Sequence, residues 1–215
     1  MKREFIFLGP PASGKGTQTA RLSEYLRLPH VDTGSLLRQE IQQETPDGLI
    51  AKSFIDKGQL VPLEIVGSII KTRLSQEDCK KGYILDGYPR SIEQADMLEK
   101  INNEIDTKPV NFMAVYFDIE HDLLIDRIIY RRSCPKCGEI YNLKFHPPKK
   151  EGFCECGEIL TQRKDDNKKT AEARFETYFR ETAPLIEYYK KKSVLTVVDA
   201  NGDINQVWER LLKVI

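Results

Sequence analysis

The sequence predicts an α/β protein built on a parallel five-stranded sheet flanked by helices. Five short runs, rich in β-branched and aromatic residues, alternate with longer stretches of helical periodicity. The runs are mostly apolar throughout, as expected of parallel strands that helices cover on both faces. The predicted strands are residues 4–8, 30–32, 83–85, 112–117 and 194–198, and the predicted helices are residues 15–26, 63–75, 92–105, 121–132, 171–191 and 205–214.

Two long segments interrupt this alternation. Residues 33–61 are helical and polar, and residues 131–166 are rich in Cys, Pro, Gly and charge. Segments of this length inside a compact domain usually form lids or binding elements. We therefore expect a core of residues 1–31, 62–130 and 167–215, a helical insert of residues 32–61 and a small lid of residues 131–166.

The charge balance and the hydropathy pattern exclude some classes of protein. Lys+Arg and Asp+Glu both total 33, so a general nucleic-acid binder, which needs a basic excess, is not expected. No apolar run is long enough to cross a bilayer, and the first apolar stretch is too short for a signal peptide. We expect a cytoplasmic monomer without a nucleic-acid or membrane partner.

A glycine-rich loop of the form G-x(4)-G-K follows the first predicted strand and opens the first predicted helix. Its backbone N–H groups and the helix N-terminus form an anion-binding cup, and Lys15 can reach the terminal phosphates of a nucleotide. A glycine-rich turn without a ligand is the alternative, which the strand and helix context disfavours. The expected phosphate-binding residues are Ala12, Ser13, Gly14, Lys15, Gly16 and Thr17.

A second site is expected where the third predicted strand ends. Asp86 closes this buried strand, where a carboxylate can orient the hydration shell of Mg²⁺. Arg90 follows a proline-stiffened turn at the same edge of the sheet, where α/β proteins bind ligands. An ordinary turn would explain this stretch if it stood alone. With the phosphate loop upstream, we interpret it as part of an active site.

These motifs together resemble the adenylate kinase family of nucleoside-monophosphate kinases, over nearly the whole chain. The resemblance rests on G-K-G-T at residues 14–17, T-G-x-L-x-R at 33–38, K-G-Q-L-V-P at 57–62 and L-D-G-Y-P-R at 85–90, with arginines downstream. It implies a P-loop NTPase-type fold and reversible phosphoryl transfer from ATP, with Mg²⁺, to AMP, giving two ADP. Ala12 stands where these kinases usually have Gly, and is mildly strained if that position needs a positive φ.

The resemblance also implies the two nucleotide sites. ATP would contact the phosphate loop with Arg127, which stacks on the base, and with Arg131, Ile140, Tyr141 and Gly202. AMP would contact Thr33, Arg38, Gln59, Leu60, Val61, Gly87, Tyr88, Pro89, Arg90, Gln94, Arg163 and Arg174. Catalysis would depend on Lys15, Asp86, Arg90, Arg131, Arg163 and Arg174.

Phosphoryl transfer between two nucleotides is consistent with so many lysine and arginine residues in one site. A phosphate acceptor is already an anionic nucleophile, so no protein base is needed, and the protein aligns and neutralises two phosphate chains. His30, His121 and His146 are scattered and are interpreted as structural. Arg127 and Arg131 lie four residues apart in the predicted helix 121–132, and we expect them to share one face.

Four of the five cysteines form two close pairs, typical of a tetrahedral zinc site. Adenylate kinases with a zinc-bearing lid normally have C-x-x-C or C-x-x-D as the second pair, whereas this chain has C-x-C. Glu158, Asp165 or His146 are therefore open alternatives for one ligand, and free thiols or an oxidised pair are alternatives to zinc. Cys79 stands apart and is interpreted as a packing residue. The expected ligands of a structural zinc are Cys134, Cys137, Cys154 and Cys156.

Other classes of function stay open at this point. A UMP/CMP kinase is the nearest alternative, although those enzymes usually have short lids. A signalling GTPase would need N-K-x-D, and the string at residues 167–170 ends in Thr. A zinc-ribbon nucleic-acid binder would explain the cysteines, but neither the phosphate loop nor the stretch around Asp86.

Overall fold

The computed structural model describes residues 2–105, 110–120 and 124–215. Seven strands and nine α-helices lie in this part of the chain. In chain order they are β1 (Lys2–Leu8), α1 (Lys15–Leu26), β2 (His30–Asp32), α2 (Thr33–Gln42), α3 (Pro46–Ile55), α4 (Leu63–Leu74), β3 (Gly82–Asp86), α5 (Ile92–Ile105), β4 (Val110–Asp118), α6 (Leu124–Ile129), β5 (Arg131–Ser133), β6 (Ile140–Asn142), α7 (Lys168–Thr177), α8 (Pro184–Lys191), β7 (Leu195–Asp199) and α9 (Ile204–Leu212).

The central sheet has five parallel strands in the order β2-β3-β1-β4-β7. Its middle strand is β1, where Ile6 lies opposite Leu85 on one side and Ala114 on the other. The α/β prediction with a parallel five-stranded sheet is confirmed. Because all strands run the same way, the loops after β1 and β3 meet at one edge of the sheet.

The core is divided by the sheet into two layers, and β1 contributes to both. Ile6 and Leu8 pack with helix residues such as Ile70, whereas Phe5 and Phe7 pack in a second cluster with residues of α1 and α9. Successive side chains of a strand point to opposite faces, so a continuous apolar run supplies both layers. Packing on both faces holds β1 in place, and with it the loop that follows this strand at the edge of the sheet.

Two predicted helices differ from the structure. In the first, α6 covers Leu124–Ile129, His121 lies outside the described residues, and Arg131 begins strand β5, which pairs antiparallel with β6. Arg127 and Arg131 therefore do not share a helix face, and that prediction is wrong. The strand pairing, made with residues farther along the chain, overrides the local helical pattern.

The second is the long helix predicted over residues 171–191. It is divided into α7, a π-helical turn at Tyr178–Thr182, and α8. Pro184 has no N–H to donate to an α-helical ladder, and Ala183 N donates instead to Tyr178 O at 2.8 Å. The proline thus explains where the regular ladder ends. None of the helices in the described residues is both long and apolar enough to span a membrane.

Candidate active site

The phosphate loop lies between the end of β1 and the start of α1. Ser13 N donates to Pro10 O at 3.2 Å, and Ala12 has a φ of 63°. The left-handed backbone expected to strain an alanine is therefore present at this position. Gly14 precedes the first helical residue, Lys15, so the free N–H groups of the first turn of α1 border the loop.

The Lys15 side chain is held against the phosphate loop by hydrogen bonds to two loop carbonyls and one loop hydroxyl. Its Nζ donates to Gly9 O at 2.7 Å, to Pro10 O at 2.9 Å and to Ser13 Oγ at 3.2 Å. Burial and the nearby arginine charges together lower the pKa of Lys15 to about 8, against the opposing effect of the Asp86 carboxylate. An ammonium with this pKa lacks a full complement of anionic partners, as expected of a group that binds phosphate.

Five arginines lie near this lysine or near one another at the edge of the sheet. Burial, with the charge of Arg131, lowers the pKa of Arg163 and of Arg174 to about 10 each. Arg90, although its side chain is partly open to solvent, likewise has a lowered pKa, because the surrounding protein desolvates it and Arg38 repels its charge. So dense a group of cations favours a strongly anionic ligand. The six cations of this group, named the cationic cluster, are Lys15, Arg38, Arg90, Arg131, Arg163 and Arg174.

Two consecutive aspartates organise the lid side of the cationic cluster. Arg131 Nε donates to Asp166 Oδ2 at 2.8 Å and its terminal nitrogen to the other oxygen of the same carboxylate. Arg174 donates to Asp165 Oδ2 at 3.2 Å and lies 3.6 Å from Asp166 Oδ1. The sequence assigns Asp166 no role and offers Asp165 only as an alternative zinc ligand, which the structure does not support, because Asp165 does not belong to the group of cysteines. Their position between Arg163 and Arg174 was the signal that could have identified them.

Asp86 lies at the end of β3, next to the phosphate loop. Its Oδ2 accepts from Thr19 Oγ1 at 3.4 Å and lies 3.7 Å from His30 Nε2. A Cβ placed on Gly16 would lie 3.3 Å from the same oxygen. Although burial opposes ionisation, the nearby His30 ring and the charge of Lys15 keep the pKa of Asp86 low. An ionised carboxylate beside a phosphate loop fits the hydration shell of Mg²⁺.

His30 was interpreted as structural, and its contact with Asp86 was missed. Its Nε2 lies 3.0 Å from Thr19 Oγ1, and the pKa of His30 is raised by Asp86 despite the opposing effect of burial. The two side chains are close because β2 pairs in parallel with β3, and the order of strands in a sheet cannot be read from the sequence. Its position in a predicted strand beside the T-G-x-L-x-R segment was the available signal.

An open cavity of about 440 Å³ lies where the insert approaches the core. Three of the predicted acceptor residues on the insert side, Gln59, Leu60 and Val61, line it together with Gln94. Gln94 is buried, and its Oε1 accepts from Arg90 N at 2.7 Å. The structure thus brings these predicted acceptor residues together around one cavity.

The turn after β3 and the start of α2 hold the other predicted acceptor residues. Gly87 O accepts from Arg90 Nε at 2.8 Å, and the buried Tyr88 and Pro89 are joined by a cis peptide bond. Thr33 opens α2 and is buried, and its Oγ1 has no hydrogen-bond partner among the described residues. A buried hydroxyl left without a partner is consistent with a ligand contact.

Arg38 is held by the residues that cap its own helix. Asp32 Oδ1 accepts from Gly34 N at 2.9 Å, and its other oxygen accepts from Arg38 at 3.3 Å and from Ser35 Oγ. Arg38 also donates to Ser35 Oγ at 2.9 Å. Asp32 therefore acts both as N-cap of α2 and as partner of the arginine.

The other predicted donor-side residues come from the lid and from the core. A Cβ placed on Gly16 would lie 3.9 Å from Ile140 Cδ1, so β6 lies against the loop. Arg127, on α6, lies with its guanidinium 5.8 Å from the ring centre of Phe145. Gly202 lies in the loop before α9, which Gln18 of α1 ties down through a 2.8 Å hydrogen bond to Ile204 O.

The four lid cysteines bring their sulfur atoms together, all within 4.8 Å of one another. Sγ–Sγ distances are 3.5 Å for Cys134 with Cys156 and for Cys137 with Cys154. Zinc at about 2.3 Å from each sulfur of a tetrahedron would separate the sulfurs by about 3.8 Å, so the donor set fits Zn²⁺. No His, Asp or Glu among the described residues belongs to this group, so the shortened C-x-C pair supplies both of its thiols.

Comparison with known proteins identifies the family. The family model for adenylate kinase matches residues 7–194. The chain belongs to the adenylate kinase family. Among curated adenylate kinases, that of Clostridium tetani (strain Massachusetts / E88) is 46% identical over 211 residues, which cover 98% of this chain and 97% of the relative.

Two further adenylate kinases are similar over almost the full chain. That of Clostridium kluyveri (strain ATCC 8527) is 44% identical over 208 residues, covering 96% of this chain and 95% of the relative. That of Clostridium perfringens (strain 13 / Type A) is 42% identical over 220 residues, covering 100% and 98%. The chain is therefore a nucleoside-monophosphate kinase that transfers a phosphoryl group reversibly from ATP to AMP, giving two ADP. Kinases of this family use Mg²⁺ with ATP.

Proposed function

We propose that the cationic cluster is the place where the two phosphate chains meet, with ATP on the phosphate loop and AMP beside Arg38 and Arg90. The observation that carries this proposal is the charge distribution around Lys15. Burial together with neighbouring arginine charges lowers the pKa values of Lys15, Arg90 and Arg174, which come from three separate parts of the chain. A pair of phosphate chains would satisfy all of them at once.

In this assignment Lys15 and the N–H groups of residues 12–17 bind the β- and γ-phosphates of ATP. Arg131 and Arg174, positioned by Asp166, neutralise charge on the transferring group, and Arg163 supports them. Arg90 and Arg38 bind the phosphate of AMP. Since that phosphate supplies the attacking oxygen, alignment and charge neutralisation are sufficient for an in-line transfer.

Asp86 would orient the hydration shell of a Mg²⁺ ion bound with ATP. The ion would supply additional positive charge to the phosphate oxygens. The contribution of the chain itself is to keep the carboxylate ionised and fixed, through Thr19, His30 and Lys15.

The cavity beside α3 and α4 is proposed as the site of the acceptor base. Gln94 Oε1 is already occupied by Arg90 N–H, which leaves the amide NH₂ of Gln94 to donate to the base. Adenine offers a ring nitrogen acceptor where guanine carries an N–H, so this arrangement favours AMP over GMP. Thr33, Gly87, Tyr88 and Pro89 border the path between base and phosphate.

The insert and the lid are proposed as two covers over one core, with the bounds expected from the sequence. Residues 32–61 would cover AMP, and residues 131–166 would cover ATP through Ile140 and Tyr141. Gly58 already contacts α7, because its carbonyl accepts from Thr177 Oγ1 at 3.0 Å. Arg127 and Gly202 would flank the donor base.

A structural zinc ion is proposed for the four lid thiols. Each pair of cysteines ends in a tight turn, in which Gly138 N donates to Cys134 O at 3.1 Å and Gly157 N to Cys154 O at 2.9 Å. Gly138 and Gly157 have φ values of 79° and 89°, which other residues rarely adopt. Four protein thiolates leave no open position on the metal, so the ion would stabilise the lid rather than take part in transfer. Reduced thiols of this kind favour a cytoplasmic protein, and we propose a monomer without a nucleic-acid partner.

A coupled assay tests the acceptor assignment. ADP formation from MgATP is measured with AMP, CMP, UMP and GMP as separate acceptors. We expect the highest kcat/KM for AMP, and we expect Gln94→Leu to reduce the preference for AMP more than it reduces turnover at saturation. An equal kcat/KM for AMP and GMP in the unaltered protein would contradict the assigned role of Gln94.

A further inference from the structure

The buried side chain of Tyr141 lies against the thiol cluster of the lid. Its hydroxyl oxygen is 3.5 Å from Cys154 Sγ, and the ring packs in a small cluster with Cys134, Cys154 and Leu160. The ring of His146 stacks against it, with centroids 6.0 Å apart and planes inclined by 4°. Tyr141 is 4% exposed, so its hydroxyl has little access to water as an alternative partner.

The direction of the hydrogen bond follows from the other contact of the hydroxyl. Glu155 N donates to Tyr141 Oη at 3.3 Å, which occupies the oxygen as an acceptor. A thiolate bound to a metal has no proton to give, so only the tyrosine can donate in the pair with Cys154. We propose that Tyr141 is a positioning residue for the lid metal, donating its hydroxyl proton to the Cys154 thiolate. This inference rests on the zinc site proposed above.

The consequence is a tighter metal site and a less electron-rich sulfur. A hydrogen bond to a metal-bound thiolate stabilises its lone pairs and fixes its orientation, and loss of such an outer partner typically costs about 10- to 100-fold in metal affinity. Because Tyr141 belongs to β6, the same hydroxyl links the metal site to the strand that lies over the phosphate loop.

The test uses the full chain, purified under reducing conditions and loaded with Zn²⁺ or with Co²⁺. Tyr141→Phe removes only the hydroxyl, and Tyr141→Leu removes the ring as well. The matched control is Tyr130→Phe, since the Tyr130 ring lies under Lys144 at 5.9 Å. Zinc release is followed with a chromogenic chelator, and the sulfur-to-cobalt charge-transfer band is recorded for each variant.

We expect both Tyr141 variants to release zinc about 10-fold faster or more, and their charge-transfer bands to move to longer wavelength, while the control matches the unaltered protein. Release rates and bands unchanged in Tyr141→Phe would overturn the inference, as would changes seen in Tyr141→Leu alone, which would indicate packing. A complete lack of zinc in the unaltered protein would instead contradict the proposed zinc site itself.

Discussion

Arg131 and Asp166 form a two-point ion pair in which the carboxylate is completely shielded from solvent. Asp166→Asn should lower the free energy of unfolding by about 3 kcal/mol, because it leaves a shielded guanidinium without its counter-charge. It should also lower kcat, since Arg131 and Arg174 lose their common anchor. Denaturant unfolding and steady-state kinetics check both. Asp165→Asn, which changes a more exposed partner of Arg174, is the control and should have the smaller effect.

Lys15→Ala should lower turnover by at least ~100-fold, as removal of one group that stabilises the transition state typically does. The fold should persist, because among the described residues the hydrogen bonds of this side chain stay within its own loop. Lys71→Ala, which removes an exposed lysine paired with Glu104, is the control and should keep normal kinetics. Near-normal turnover in Lys15→Ala would remove the phosphate-loop assignment.

The lowered pKa of Lys15 predicts how ATP affinity depends on pH. With a pKa of about 8 in the free protein, the ammonium is fully charged well below that pH and loses its proton above it. The Kd for MgATP should therefore be nearly constant from neutral pH to about pH 8 and should then rise by up to tenfold per pH unit. Titration calorimetry across this range measures the slope. Lys15→Ala should show no rise there, and an identical rise in that variant would assign the titration to another group.

Arg38→Ala and Arg90→Ala should each raise the KM for AMP, lower kcat, or both, with a much smaller change in the KM for ATP. Both arginines lie outside the lid, Arg38 on α2 and Arg90 after β3, in segments assigned to the acceptor. Varying one substrate at a fixed excess of the other separates the two KM values. Equal losses for ATP and AMP would show that the two sites are divided wrongly. Arg73→Ala, which alters a peripheral ion pair with Asp78, is a suitable arginine control.

Removal of the lid metal should lower the melting temperature, with unfolding starting in the lid. The lid cluster contains few buried apolar residues, so thiolate coordination supplies much of its folding free energy. Activity at low temperature should fall only modestly, because Lys15 and Arg90 belong to the core. Metal analysis, calorimetry and hydrogen exchange before and after chelation provide the measurement. Complete loss of turnover with the lid still folded would contradict a merely structural role.

The parts of the fold that the sequence predicts are those with a strong local signal. The apolar strand β1, the glycine spacing before Lys15 and the paired cysteines each occupy a short stretch of chain. The start of β5 at Arg131 was missed because it depends on pairing with β6 and on the Asp166 carboxylate. Contacts between distant residues decided that segment against its own helical periodicity.

The same distinction applies to the site. Ala12 was expected to be strained if its φ were positive, and the φ of 63° meets that condition. The C-x-C pair left one zinc ligand open, whereas the fold brings all four sulfurs within 4.8 Å. The sequence spacing of two cysteines does not by itself determine in which direction their thiol groups point. The contact of His30 with Asp86 could not be predicted for a similar reason, since it depends on the order of strands in the sheet.

The cationic cluster has a consequence for the direction of the reaction. One ATP with one AMP carries as many phosphate groups as two ADP, so either pair brings nearly the same negative charge to these six side chains. Electrostatics that depend on total charge therefore stabilise both bound pairs about equally. The two bound pairs should therefore be populated about equally, whereas the overall equilibrium between ATP, AMP and ADP is unchanged, as for any catalyst, and mass action decides whether ADP is made or consumed.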